Sequence, residues 1–495
     1  MPLLSQLQDI LNSLGGFRPE LWLTIAFCSI LIAELVLLRL KTAQVRLWLS
    51  SLTIVFLLIA GFLVIQGTRQ GFLFLHLLFS DDQAAFYKLI VLLAAVLVIG
   101  YDQLTDSPDR KDRLPAEWYP LLLATVLGSF LLTMSVNLLS IYLSLELISI
   151  SSYLLTALTK TRKAVEGGIK YLLFGAISSA IMLYGMSLLY GITGTLDITS
   201  PAFGIELARN EPLVVAAVGL LTMAGFLFKL SLVPFHVWTP DVYDAAPIPV
   251  AAFFSIAPKA ATVLVLMRIV TALPDAALGF DIQSPLAFVA IASITLGNFS
   301  ALWQTDAKRL LAYSSIAQAG FLIVGIVALN KTGFEATTFY MATYLFINLA
   351  AFFLIDLLSR QHNGRLAIAD LAGLGARQPL LSIALTVVMI ALVGLPPTVG
   401  FTAKLLVFSA LYEAFQASGN KWLALLFGWG LLNAVISLAY YLKIPFLLFF
   451  RPSPVEETPV VTVSPIATGL AVGLALLSVW FFLKPESLLQ WIARF

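Results

Sequence analysis

Charged residues are scarce in this sequence. Lysine, arginine, aspartate and glutamate make up 11% of its 495 residues, whereas soluble proteins contain about a quarter. Hydrophobic residues make up 60%, and the mean hydropathy is +0.95. Apolar runs close to the ~20 residues that cross a bilayer recur throughout, without the alternating polarity of β-barrel strands. The composition excludes a water-soluble protein and indicates an all-α polytopic membrane protein.

Cysteine is almost absent. The single cysteine, Cys28, lies inside an apolar run, and one thiol cannot by itself hold an iron–sulfur cluster, a structural zinc or an internal disulfide. The sequence also has no glycine-rich phosphate loop, no paired-histidine metal spacing and no nucleophile–base arrangement. We therefore expect no cofactor and no metal bound by this chain. A net charge of +2 gives no reason to expect a nucleic-acid partner, and the first residues predict no removable signal peptide.

Apolar runs of sufficient length predict about fourteen membrane spans. They lie near 20–40, 46–66, 84–101, 119–136, 138–158, 167–190, 212–233, 248–272, 284–303, 309–329, 335–358, 380–408, 422–447 and 461–483. The apolar segment 71–80 is too short to cross a bilayer, so it predicts a re-entrant or surface hairpin.

Basic residues concentrate on every second connecting loop, that is, on the loops of one side of the membrane. They are Arg39, Lys41, Arg46, Arg110, Lys111, Arg113, Lys160, Arg162, Lys163, Lys308, Arg309, Arg360, Arg365 and Arg377. The loops of the opposite side have only scattered basic residues: Arg69, Arg209, Lys331 and Lys421. Because basic loops remain in the cytoplasm, this pattern predicts that both termini lie outside it.

A few charged residues lie deep inside the predicted spans: Glu34, Glu146, Lys229, Lys259 and Lys404. A charge at the bilayer centre costs at least ~2.5–3.5 kcal/mol on insertion scales, so each is a functional candidate. Glu146 has no charged neighbour within a helical turn, and must therefore pair with another helix, be protonated or face water. The alternative is a structural carboxylate that holds a lysine for packing.

Lys229 lies in the segment FKLSLVP, just before Pro234. Proline interrupts a helix because it has no amide hydrogen, and the freed backbone groups need protein or water at membrane depth. The pattern therefore predicts a hydrated cavity; the alternative is a proline kink with a lysine that reaches the interface. Burial disfavours a charged lysine and a nearby carboxylate favours it. Movement of Glu146 relative to Lys229 would thus load or release one proton.

The other candidates have weaker signals. Lys259 follows Pro258, and Lys404 follows a Pro-Pro pair, so we expect both lysines on locally opened helices, with a structural role as the alternative. His236 is a candidate relay between cavity and surface; the alternative is an interfacial histidine bound to a loop. Lys170 is predicted either to bias the charge of Glu146 or to sit at an interface.

Two five-helix blocks form a faint internal repeat. Each contains a proline-interrupted section with a lysine, KLSLVP in the first and LVGLPPTVGFTAK in the second. Paired interrupted helices in corresponding positions are typical of transporters built from repeats. We expect a three-helix segment (1–118), a first repeat (119–275), a second repeat (276–452) and a final helix (453–495).

Four stretches carry a family resemblance: LSLELISISSYLLTAL (143–158), EGGIKYLLFGAISSAIMLYGMSLLYG (166–191), FKLSLVPFHVWTPDVYDAAPIPVAAFFSIAPKAATVLVLMRI (228–269) and DAKRLLAYSSIAQAGFLIVG (306–325). They resemble subunit N of the proton-pumping NADH:quinone oxidoreductase, respiratory complex I. Subunit N is one of three antiporter-like membrane subunits related to the subunits of multisubunit sodium/proton antiporters.

The resemblance implies fourteen helices in two inverted five-helix repeats, with discontinuous seventh and twelfth helices. The family's proton-transfer residues match Glu146, Lys229, Lys259 and Lys404, and Lys170 matches a family lysine near the start of the sixth helix. In such a complex NADH, FMN, iron–sulfur clusters and quinone belong to partner subunits. The implied partners are neighbouring antiporter-like and small helical subunits, and the implied location is the bacterial inner membrane.

Two features favour the N type. A lysine at position 404 resembles the N and L types, since the M type has a glutamate there, and the short segment after the last span differs from the long lateral helix of the L type. Pro258 departs from the family pattern. The alternatives are a subunit of a cation/proton antiporter driven by gradients alone and a scaffold that conducts no protons.

Overall fold

The computed structural model describes residues 3–37, 43–67, 70–105, 114–272, 281–360, 366–452 and 464–493. Its helices are α1 (Leu3–Ser13), α2 (Arg18–Leu37), α3 (Ala43–Ile65), α4 (Asp82–Leu104), α5 (Trp118–Met134), α6 (Leu138–Ala157), α7 (Arg162–Thr193), α8 (Pro201–Ala208), α9 (Pro212–Leu230), α10 (Trp238–Ala245), α11 (Ile248–Ala272), α12 (Gln283–Leu302), α13 (Ala307–Val327), α14 (Lys331–Ser359), α15 (Leu374–Arg377), α16 (Pro379–Val393), α17 (Val399–Ser418), α18 (Lys421–Tyr441), α19 (Lys443–Phe450), α20 (Pro465–Leu483) and α21 (Pro485–Ile492). Of the loop cations, Arg39, Lys41, Arg69, Arg110, Lys111, Arg113 and Arg365 lie outside the described residues.

The predicted membrane spans are confirmed. Within the described ranges, twelve helical segments are long and apolar enough to cross a bilayer, with α18 and α19 forming one of them. The shorter apolar helix α5 and the pair α16 and α17 supply the remaining two passes, which gives fourteen. The hairpin predicted at 71–80 is also confirmed: strand β1 (Gly71–Leu73) pairs antiparallel with β2 (Leu78–Ser80).

Three helices form the centre of the bundle. In the apolar, membrane-spanning stretch of α11, 100% of the residues are buried by the rest of the protein, and in those of α13 and α14 the share is 94%. In the outer helices α2 and α20 it is 28%. A helix that is apolar on every side is stable in such a central position. Polar side chains on α11, α13 and α14 are therefore removed from lipid and can contact only protein or internal water.

Two spans are interrupted, as the resemblance implies. The seventh span consists of α9 and α10, and the twelfth consists of α16 and α17. Each break contains an X-Pro peptide, Val233–Pro234 or Pro396–Pro397, where proline cannot supply the helical amide hydrogen. Ser231 and Gly394, which follow α9 and α16, have left-handed backbones with φ of 65° and 87°. Left-handed residues at this position commonly end helices.

The expected opening around Pro258 is wrong. α11 runs without a break from Ile248 to Ala272 with Pro258 inside it. Proline removes one backbone hydrogen bond, but neighbouring helices surround α11 and hold its backbone in place. Thr262 Oγ1 donates a hydrogen bond to the Pro258 carbonyl over 2.7 Å. Lys259 therefore projects from a continuous helix.

Two backbone bridges mark the internal repeat. Asn137, which caps the N-terminus of α6, bridges to Asp197 after α7; Asp306, which caps α13, bridges to Ala367 after α14. The spans between the two caps are α6, α7, the α9–α10 pair, α11 and α12. Because that number is odd, the bridges lie on opposite membrane faces. Equivalent contacts on opposite faces are typical of an inverted repeat.

A close approach within the twelfth span gives a first testable prediction. A Cβ atom at Gly400 would lie 1.9 Å from the Ala391 carbonyl oxygen of α16. We expect Gly400→Ala to destabilise the protein by about 1–3 kcal/mol through overpacking, lowering the amount of assembled subunit and its thermal midpoint in detergent. Gly428→Ala on α18 is the matched control, because a Cβ atom there meets no atom within 4 Å. Equal midpoints for the two variants would contradict this packing.

Candidate functional site

Glu146 lies half-buried on α6, facing α7. The Ser179 hydroxyl of α7 donates a hydrogen bond to its Oε1 atom. Ser149 lies one turn further along α6 and accepts a hydrogen bond of 3.1 Å from Lys229 Nζ. Glu146 and Lys229 are thus close in space, as the sequence predicts, but the lysine reaches α6 at Ser149.

Lys229 is enclosed by aromatic side chains. Its side chain is 2% exposed, which makes the interfacial alternative wrong. Nζ lies 3.4 Å from the Tyr171 hydroxyl oxygen and 5.6 Å from the ring centroid. Tyr171 stacks on Trp238 of α10 with 4.2 Å between centroids. The ammonium group therefore lies among hydroxyl groups and ring faces, which attract a cation without neutralising it.

Protein groups bind part of the backbone that the break frees. The Trp238 indole N–H donates to the Phe228 carbonyl of α9 over 3.1 Å, and the Val233 amide donates to Ser293 Oγ of α12 over 2.9 Å. The buried hydroxyls of Ser231 and Thr239 have no hydrogen-bond partner in the part of the chain that the structure describes. Such groups favour internal water, and the hydrated cavity remains a prediction.

Lys259 lies where the three central helices meet. Its side chain is 3% exposed, and Nζ donates to the Ser315 hydroxyl over 2.8 Å and to the Ser315 carbonyl over 3.2 Å. The Tyr344 hydroxyl of α14 also contacts Ser315 Oγ, at 3.4 Å. Ser315 on α13 thereby connects the lysine of α11 to α14.

Lys404 spans the break in the twelfth span. From α17, its Nζ donates to the Leu392 and Val393 carbonyls at the end of α16, over 3.1 and 2.6 Å. The C-terminus of a helix has a partial negative charge, so this position favours an ammonium group. Nζ also lies 4.3 Å from the ring centroid of Phe321. The lysine thus supplies the contact that the missing helical turn would have made.

A buried polar chain extends from Lys404 toward Lys259. Gln318 Nε2 donates to the same Leu392 carbonyl over 2.7 Å and to the Tyr441 hydroxyl over 3.2 Å. Tyr441 shares a hydrogen bond with Ser314, the residue next to Ser315. Hydroxyl and amide groups of α13 and α18 thus extend from the partner of Lys404 to Ser314, whose neighbour in the sequence, Ser315, binds Lys259.

Sequence reasoning missed Ser315, Gln318 and Tyr441. For Ser315 and Gln318 the available signal was the cluster of polar residues in AYSSIAQAG, inside an otherwise apolar run of α13. All three side chains are uncharged, so the cost of burying a charge does not single them out.

Two secondary candidates have different surroundings. Lys170 is 40% exposed and pairs with Glu166 and with Asp241 of α10, each at 2.9 Å. It therefore lies at a helix–helix interface on the membrane face where α7 begins, and has no contact with Glu146. His236 is half-buried in the break, and its Nδ1 atom has no hydrogen-bond partner among the described residues. Its relay role remains a prediction.

The fold and the site together define an antiporter-like membrane subunit with two interrupted spans and buried lysines. The chain belongs to the family described as NADH:quinone oxidoreductase/Mrp antiporter, whose profile matches residues 135–437. Within it, the chain belongs with subunit N: it is 38% identical over 471 residues to NADH-quinone oxidoreductase subunit N of Chlorobium chlorochromatii (strain CaD3). That alignment covers 92% of this chain and 90% of the relative.

Solved structures agree with this assignment. The fold matches a chain of respiratory complex I from Thermus thermophilus with a TM-score of 0.77 and 30% identity, covering 95% of this chain and 98% of that one. A chain of the Mrp complex from Dietzia sp. DQ12-45-1b matches with a TM-score of 0.76 and 19% identity, covering 98% of this chain and 96% of that one. The second match shows a common fold alone. The resemblance read from the sequence is confirmed.

Proposed function

We propose that this chain is a proton-translocating, non-redox membrane subunit of an NADH:quinone oxidoreductase. The observation that carries the proposal is the row of charged groups at membrane depth, Glu146, Lys229, Lys259 and Lys404, each bonded to a neutral polar group or a backbone carbonyl. Such groups are costly in a membrane, and in transporters they mark ion and proton pathways.

The four groups differ in their surroundings: Lys229 has a carboxylate nearby, that of Glu146, whereas the hydrogen bonds of Lys259 and Lys404 go to neutral groups. Glu146 lies one turn from Ser149, which binds Lys229, so its negative charge favours the charged form of that lysine. The hydrogen-bond partners of Lys259 and Lys404 are hydroxyl and carbonyl oxygens. An ammonium group among neutral partners is expensive to bury, so a proton on either lysine is readily passed on. Displacing one charge across 100 mV requires about 2.3 kcal/mol, which a switch between such states can supply.

The proposal includes the partners, the location and the topology of the subunit. We propose that NADH, FMN, iron–sulfur clusters and quinone are bound by partner subunits, with antiporter-like and small helical subunits as neighbours in a bacterial inner membrane. Both termini would be non-cytoplasmic. The repeat units would be 119–275 and 276–452, flanked by 1–118 and 453–495; the two equivalent backbone bridges support this division.

The second candidate function is a subunit of a multisubunit cation/proton antiporter. Its support is the family description, which includes Mrp antiporters, and the fold shared with the Mrp chain. Both functions use buried ionisable groups, and they differ in the source of energy. An antiporter exchanges ions without electron transfer.

The test uses the assembled complex in proteoliposomes. NADH with a soluble quinone is expected to drive proton movement that an uncoupler abolishes. Glu146→Gln is expected to reduce this movement at least about tenfold, because a positioned proton-transfer group typically contributes 10²–10⁴-fold. Glu335→Gln is the matched control, since Glu335 is 50% exposed and pairs only with Lys331 among the described residues. Proton movement driven by a sodium gradient without NADH would favour the antiporter, and normal pumping by assembled Glu146→Gln would contradict both functions.

A further inference from the structure

α10, the short second half of the interrupted seventh span, is held by ion pairs from both halves of the chain. Asp241 pairs with Lys170 of α7 at 2.9 Å and with Arg309 of α13 at 3.3 Å. Asp244 pairs with Lys163 of α7 at 2.6 Å and with Arg309 at 3.6 Å. We call these pairs the α10 latch. Because α7 and α13 belong to different repeats, the latch also ties the repeats together.

The end of α10 is held as well. Lys308 Nζ donates to the Asp244 carbonyl over 3.1 Å and to the Ala246 carbonyl. A cation at this position is favoured by the partial negative charge of a helix C-terminus. On the side facing α7, a Cβ atom at Gly167 would lie 2.4 Å from Ala245 Cβ. The two helices are therefore packed as closely as glycine permits.

The opposite side of α10 faces the core and has an unpaired polar atom. Thr239 is 0% exposed, and its hydroxyl has no hydrogen-bond partner among the described residues. His236 Nδ1 and Ser231 Oγ, in the break itself, are in the same condition. A buried polar atom without a partner costs free energy. These atoms lie between α10 and the end of α9, and water molecules that bind them would remove this cost. They therefore mark a path for water.

Neighbouring residues connect the latch to the buried lysine. Lys170 forms part of the latch, and the next residue, Tyr171, contacts Lys229 Nζ and stacks on Trp238 at the start of α10. Any displacement of α10 therefore moves Trp238 against the ring that borders Lys229. The exposed pairs of the latch are individually weak, so a change at this face could release them.

We propose that α10 is a latched plug: its ion pairs with α7 and α13 keep water at this membrane face from reaching Lys229, and their release admits it. The inference rests on the proposed function, because it names the entrance to the same proton route. Asp241 is then a positioning residue, which acts on Lys229 through α10, Trp238 and Tyr171. In the proposed topology this face is the cytoplasmic one.

Cysteine labelling of the whole complex tests the plug. The chain has one native cysteine, so Cys28→Ser provides a background in which Thr239→Cys is the only thiol of this subunit. The probe is a membrane-impermeant maleimide, added to sealed vesicles of either orientation, and labelling is read on the isolated subunit band. Asp241→Asn removes the two pairs of Asp241, to Lys170 of α7 and to Arg309 of α13, and leaves those of Asp244. We expect it to raise the labelling rate about fivefold from the face where α7 begins, equivalent to about 1 kcal/mol at 1.4 kcal/mol per tenfold.

The control removes a comparable ion pair elsewhere. Glu206→Gln breaks the exposed pair with Arg209 on α8 and should leave labelling of Thr239→Cys unchanged. If Asp241→Asn reduces assembly, Lys170→Gln is used instead, with about a twofold rise expected because Arg309 still holds Asp241. An unchanged rate in assembled latch variants overturns the plug, as does an equal rise in Glu206→Gln. Labelling requires no pumping, so normal pumping by Glu146→Gln would refute the proposed function and leave the labelling result to decide the plug.

Discussion

Replacing Lys229 with alanine is expected to reduce NADH-driven proton pumping by the assembled complex at least about tenfold. The side chain is buried, contacts Ser149 and Tyr171 and lies near Glu146, so its removal breaks the row of proton-transfer groups at its second member. The loss of a positioned proton-transfer group typically costs 10²–10⁴-fold. Pumping is measured in proteoliposomes with a pH-sensitive dye, alongside quinone reduction by the same preparation.

Lys229→Arg distinguishes two roles of Lys229: a group that gains and loses a proton, and a structural group that is always charged. Arginine keeps the charge but does not release its proton in proteins, so the arginine variant is expected to assemble and to pump as poorly as the alanine variant. A structural cation would instead be restored by arginine. Lys421→Ala, at the start of α18, is the control for removal of a lysine. Near-normal pumping by Lys229→Arg would refute the loading and release of a proton at this position.

The main proton-transfer candidates could be found from the sequence because a charge in a membrane is rare. Lys229, Lys259 and Lys404 each stand alone in an apolar run, and the cost of burial makes each one informative without any structure. The breaks in the seventh and twelfth spans were predictable for a similar reason, since proline cannot continue the hydrogen-bond pattern. Local chemistry therefore determined both features.

The partners of these residues were not predictable, because they depend on which helices become neighbours. Lys259 and Ser315 are 56 positions apart, and Lys170 and Asp241 are 71 positions apart. Helical periodicity relates residues only a few positions apart. Pro258 shows the opposite error: a local rule predicted an opened helix, and the surrounding helices kept α11 continuous.

Lys404→Met is expected to reduce pumping at least about tenfold and to destabilise the break between α16 and α17. Methionine keeps much of the apolar stem beside Phe321 and removes the ammonium group that binds the Leu392 and Val393 carbonyls. Leu392 retains the amide of Gln318, but the described contacts include no other side-chain donor to the Val393 carbonyl. A buried acceptor left unpaired costs about 1–3 kcal/mol. Pumping and the thermal midpoint of the assembled complex are measured together.

Gln318→Leu distinguishes the two roles of Lys404. It removes the amide that shares the Leu392 carbonyl and contacts Tyr441, while Lys404 keeps both of its carbonyl partners. If Lys404 acts mainly as a structural clip, Gln318→Leu should lower the thermal midpoint and leave pumping near normal. If the lysine exchanges protons with Lys259 through the α13–α18 chain, pumping should fall about threefold or more at an equal loss of stability. We expect the second result, because Ser314, Gln318 and Tyr441 form a buried polar chain between the surroundings of the two lysines.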